Sequence, residues 1–152
     1  MSFNNPVKFV FVPEGNMNKI AVLSDIHGNI AALETVANDI KTRQVGCVFN
    51  LGDPWPKETI RYLMAQDWIQ VKGNHDRQLV DQSPENHGFS DAYAYMMLND
   101  TERNWLSALP QHAEAQNGIL SFHSTPSSDS TYLLETAGQI LLLDLQAFMP
   151  YK

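Results

Sequence analysis

Four short stretches of this sequence gather side chains that bind metals or move protons. "SDIHGN" places Asp25 and His27 on either side of Ile26, ahead of Gly28 and Asn29. "LGD" ends in Gly52 and Asp53, and "KGNHD" carries Asn74, His75 and Asp76 behind Gly73. "ILSFH" ends in His123, followed by Ser124, Thr125 and Pro126. Carboxylate, amide carbonyl and imidazole are the hard and borderline donors that divalent metals take. Each stretch alone has a plain reading. Asp-x-His is a capped turn, Gly-Asp a common turn, Asn-His-Asp after glycine a helix cap, and a lone terminal histidine a surface residue. The combination, all at the same end of the inferred elements, points to a shared metal site.

The elements that must position these residues follow from the apolar pattern. "NKIAVLSD" predicts a buried strand, and the segment from Asn29 to Arg43 predicts a helix with Ile30, Leu33, Ala37 and Ile40 on one face. "VGCVFNLGD" predicts a second buried strand. Pro54 and Pro56 then break the chain, and Lys57 to Gln66 predicts a second helix. "WIQVKGNHD" predicts a third strand ending in a glycine turn, followed by a loop with Ser83, Pro84 and Gly88. Phe89 to Leu98 and Thr101 to Leu109 predict helices, the first capped by Ser90 or Asp91 and the second by Asp100 or Thr101. "HAEAQNGILSFHSTP" reads as a hairpin turning at Asn117-Gly118. "TYLLETAGQILLLDLQAFMPYK" reads as helix then strand, although residues 137 to 152 suit either. Alternating strands and helices imply a parallel sheet with right-handed crossovers, whose ligands gather beyond the carboxyl ends of the strands.

Composition narrows the classes. The 152 residues suffice for one domain with a core, and the net charge of -7 argues against non-specific nucleic-acid binding. An anionic substrate needs local positive charge, which few lysines and arginines supply here and a bound metal could. Cys47, the single cysteine, excludes an internal disulfide and reads as a buried small residue, which suits the cytoplasm. The opening "MSFNNPVKFVFVPEGNM" does not read as a signal peptide, and "ILLLDLQAF" is too short to span a bilayer, so no membrane partner is expected. Residues 1 to 16 read as an N-terminal extension or extra strand, with Val7, Phe9 and Phe11 alternating, and residues 17 to 152 as one domain.

Taken in order, "DIHGN", "LGD", "KGNHD" and the later histidine resemble the calcineurin-like metallophosphoesterases, and the small prokaryotic single-domain group most closely. The resemblance runs from about Lys19 to Leu134. It implies an α/β fold, a sandwich of mixed β-sheets flanked by helices, with two divalent metal ions (Mn, Fe, Zn or Ni) at one end. It implies hydrolysis of a small phosphomonoester or phosphodiester by a metal-bridging water or hydroxide. By the same resemblance Asp25 and His27 bind the first metal, Asp53 bridges both, and Asn74 and His123 bind the second. His75 becomes the acid at the leaving oxygen and Asp76 its orienting partner. Asn29, Arg77 and Trp55 are candidates for lining the substrate site. "PWPKE" follows Asp53 where protein serine/threonine phosphatases carry Asp-Arg-Gly, so that activity is not expected.

The family pattern ends in Gly-His-x-His, whose histidines complete the two metals. This sequence has five histidines, and none follows His123. His87 and His112 lack the paired spacing and read as surface residues. The domain therefore reads as C-terminally shortened, with the last strands of the second sheet missing and an exposed edge open to homo-oligomer formation. A second expectation follows: a catalytically weak or inactive relative serving as an oligomeric binding or scaffold protein.

Overall fold

The structure, a computed structural model, describes residues 8–10, 19–115 and 118–131. The expectations for the terminal segment after Thr131, for the rest of the N-terminal extension and for Asn117 lie outside the described residues. The elements run β1 (Lys8–Val10), β2 (Ile20–Leu23), α1 (Ile30–Thr42), β3 (Cys47–Asn50), α2 (Lys57–Met64) and β4 (Ile69–Gln70). They continue with α3 (Asn74–Asp81), a 3₁₀ turn (Pro84–Asn86), α4 (Phe89–Met97), α5 (Asp100–Ala108), β5 (His112–Ala115) and β6 (Leu120–Phe122).

Two sheets result. The first has the order β2-β3-β4, all parallel, with Ile20 opposite Cys47 and Phe49 opposite Ile69. The second has the order β1-β5-β6, parallel between β1 and β5 and antiparallel between β5 and β6. This is the mixed α/β sandwich expected. β3 is buried at all positions, as a central strand of a covered parallel sheet must be. Cys47, Phe49, Ile69 and Val71 of the first sheet pack on Ala113 and Ala115 of the second, where small side chains let the layers approach. A separate helical core joins Ile60, Leu79, Ala94, Leu98 and Leu106 from α2 to α5.

Several local expectations change. β2 is not buried: Ile20 and Val22 are 45% and 57% exposed, because their face opens on the cavity that they line with Phe49, Ile119 and Phe122. The third strand is short, and helix α3 fills the chain between it and the loop with Ser83, Pro84 and Gly88. α4 starts from Gly88 with no side-chain cap, so neither Ser90 nor Asp91 caps it. α5 is capped by Asn99, whose side chain accepts from the Glu102 amide while the Glu102 carboxylate accepts from the Asn99 amide. His112 is buried at 4% exposure, its Nε2 lying 2.5 Å from the Pro126 carbonyl oxygen, and is not a surface residue. His87 is half-buried, edge-on to Tyr95. Among the described residues no helix is long and apolar enough to cross a membrane.

Candidate metal centre

The loops after β2, β3 and β4 converge because their backbones stay zipped beyond the strand ends. The amides of Asp25 and His27 donate to the carbonyls of Gly52 and Asp53 at 3.1 and 3.0 Å. Holding these loops side by side forces unusual backbone. Asp25, His27 and Asp53 all adopt left-handed conformations, with φ of 53°, 43° and 57°. Such backbone is uncommon for non-glycine residues and gathers at functional sites, with Asp and His among the tolerant types. Gly52 has φ of 106°, and a Cβ there would lie 2.3 Å from the Gly73 nitrogen. A Cβ on Gly73 would lie 2.2 Å from Asp53 Oδ1. The motif glycines are thus required by close approach of one loop to the next.

Asp53 sits at the middle of the cluster, 1% exposed. Its Oδ1 accepts from the amides of His75 and Asp76 at 3.0 and 3.3 Å, in the first turn of α3, where free amides favour an anion. Asp76 returns the contact: its Oδ2 accepts from the amides of Asp53 and Gly73 at 2.9 and 3.0 Å. Asp53 Oδ2 is buried and has no hydrogen-bond partner among the described residues. Burial pushes the Asp53 carboxyl up, against the pull of His123 and His75. Burial, then the neighbouring Asp53 charge, pushes Asp76 up to about 7.

On one side of Asp53, ligand atoms of Asp25, His27 and Asp53 lie within 4.8 Å of one another. On the other, His123 Nε2 lies 3.0 Å from Asn74 Oδ1 and 3.6 Å from Asp53 Oδ2. The opposite ring nitrogen of His123, Nδ1, is 2.8 Å from the Leu51 carbonyl, which can only accept. In the neutral ring this fixes the proton on Nδ1 and leaves the Nε2 lone pair facing two oxygen acceptors. A cation placed among the three atoms resolves that arrangement. The orphaned Asp53 oxygen and the mixed oxygen and nitrogen donors therefore fit a divalent metal. The cavity over these residues, lined also by Ser24, His75 and Gln78, has no lysine or arginine among its described lining residues.

The other expected site residues are placed as follows. The rings of His75, His27 and Trp55 form a triangle with centroids 5.5 to 5.9 Å apart, so His75 and Trp55 do border the centre. The Asn29 side chain accepts from the Ala32 amide as the cap of α1. The Arg77 guanidinium grips both carboxylate oxygens of Asp129. Asp76 does not reach the His75 ring through a hydrogen bond; its bonded oxygen is engaged by backbone amides. Asp91 of α4, which no motif singles out for this site, brings Oδ1 to 3.5 Å from His75 Nδ1.

Residues 18–150 match the calcineurin-like phosphoesterase family, and the chain belongs to that family. A metallophosphoesterase from Sphaerobacter thermophilus superposes with a TM-score of 0.66 at 26% identity, covering 86% of this chain and 56% of the other. The protein PH1004 of Pyrococcus horikoshii superposes with a TM-score of 0.65 at 18% identity, over 84% of this chain and 65% of its own, which supports the fold alone. The Methanocaldococcus jannaschii protein MJ0912 is 44% identical over 62 residues, 38% of this chain and 26% of that protein. The chain thus spans about a quarter of that relative and 56% of the first structure.

Proposed function

We propose that this protein hydrolyses a small phosphomonoester or phosphodiester with two divalent cations held on either side of Asp53. The observation that carries the reading is the buried, unpartnered Asp53 Oδ2, with one donor group at Asp25 and His27 and another at Asn74 and His123. Family membership supports the reaction class. Two cations so held would supply a water of lowered pKa as nucleophile and offset the phosphate charge.

The chain's own residues do the rest. The α3 amides hold Asp53 through Oδ1, so that Oδ2 stays directed at the donors. Leu51 fixes the His123 ring. Asn74 contributes a neutral oxygen, which avoids adding negative charge where an anion must bind. His75 stands beside the centre without joining the donor set, and imidazole transfers protons near neutrality. Cys47 is buried in the sheet core and offers no nucleophile.

A second reading, a metal-binding relative without turnover, rests on the small donor set: among the described residues Asp25, His27 and Asp53 are the one group of three carboxylate or imidazole donors gathered within 4.8 Å. Plasma mass spectrometry together with an alkyl phosphodiester assay, whose leaving oxygen needs a proton, separates the two. The proposal expects bound Mn, Fe, Zn or Ni and turnover that falls about 10²–10⁴-fold in His75→Ala. Stoichiometric metal with turnover no higher than in His75→Ala supports the second reading, and absence of metal sinks both.

A further inference from the structure

We propose that Asp91, on α4, is the positioning residue for His75. This rests on His75 acting as the proton donor in the reaction above. His75 Nδ1 is buried and makes no hydrogen bond among the described residues. The acceptor beside it is Asp91 Oδ1, 3.5 Å away, on a side chain only 16% exposed. A short adjustment of either side chain closes that gap to a hydrogen bond. Asp76, adjacent in sequence, gives Oδ2 to the amides of Asp53 and Gly73, and its Oδ1 makes no hydrogen bond to the His75 ring.

Asp91 has an ordinary explanation to be set against this. It lies in the first turn of α4, where a carboxylate is favoured by the helix dipole. The first turn is also where it could cap its own helix, yet among the described residues its one charged contact is His75. α4 is held in place on α3 by Ala94 and Leu98 packing with Leu79, so the carboxylate is presented from a fixed helix and not from a loop. With Nδ1 held from behind, Nε2 is the nitrogen left for the cavity that His75 lines with Asp25, Asp53 and His123.

The step that this positioning serves balances simply. Water oxygen bonds to phosphorus and releases a proton to solvent. The phosphorus–oxygen bond to the leaving group breaks, its electron pair stays on the leaving oxygen, and the His75 Nε2 proton moves there. Nδ1 keeps its own proton throughout and donates it in a hydrogen bond to the Asp91 carboxylate. Removing Asp91 then costs orientation of the donor and leaves the donor itself in place.

The test uses the metal-loaded chain with Asp91→Ala and Asp91→Glu beside the wild type. Nitrogen-15 NMR of the His75 ring reports the contact directly. The expected result is a hydrogen-bonded Nδ1 in wild type, lost in Asp91→Ala and regained in part by Asp91→Glu. Ring shifts identical in wild type and Asp91→Ala overturn the proposal. Kinetics add a second readout. Asp91→Ala is expected to lower kcat on an alkyl phosphodiester at least tenfold more than on a p-nitrophenyl ester, whose leaving oxygen needs little protonation, with KM little changed. Equal losses on both esters, or a loss in KM alone, overturn the role. If the NMR contact holds but neither wild type nor variant turns over, the phosphoesterase reading has failed and the placement of His75 by Asp91 stands.

Discussion

Asp53 and Asp76 are two buried carboxyls that exchange backbone amide bonds, and their burial, then their mutual repulsion, is the electrostatic cost of the centre. Cations at Asp53 would relieve it; without them the cost appears as pH-dependent stability. In the metal-free protein Asp76 keeps its proton to about 7, against 3.8 for the free side chain. The folded state therefore binds more protons than the unfolded chain in that window. This contribution to stability is full below the unfolded value and is lost as pH rises through about 7. Thermal melting in chelator is expected to show Tm falling between about pH 4 and about pH 7, with a shallower fall in Asp76→Asn, which has no proton to lose. Equal slopes in the two proteins contradict the assignment.

The elements contribute by holding three loops closer than side chains would allow. Gly73→Ala tests that directly, since its Cβ would lie 2.2 Å from Asp53 Oδ1. The fold can yield locally, but Asp53 must move. Metal affinity by calorimetric titration is expected to drop about 10–100-fold, the range for lost support around a ligand, while the circular dichroism spectrum stays that of wild type. Unchanged affinity contradicts the close approach. At this scale the sequence was informative where motif and element coincide. Asp25, Asp53 and His123 follow apolar runs, so their position at strand ends could be read off the pattern. α3 could be read only in part, because "GNHD" suits a turn as well as a helix cap, and the amides bonded to Asp53 decide for the helix. Asn99 and Glu102 form the cap of α5 that spacing places equally well at Asp100 or Thr101. His112 carries the polarity of a surface residue, and its burial depends on the Pro126 carbonyl of a loop beyond the hairpin. Asp91 was silent for a related reason: its partner His75 lies in a different helix, and no periodicity links them.

At the scale of the molecule, two separate cores meet at the centre: the sheets supply β2, β3 and β6, and the helices supply α3 and α4. A metal bound there ties both together, so it should stabilise the whole fold. At a hundredfold excess over Kd the gain is about 2.7 kcal/mol, and chelation should lower Tm correspondingly in differential scanning calorimetry. A Tm indifferent to chelator places any bound metal away from this junction. The most direct test of the account is the rate of aryl phosphodiester hydrolysis by metal-stripped protein as Mn²⁺ is added stepwise. Turnover should be absent without metal, rise to a plateau at about two equivalents and be lost in Asp53→Asn. Hydrolysis that needs no metal, or none at any metal concentration, contradicts it.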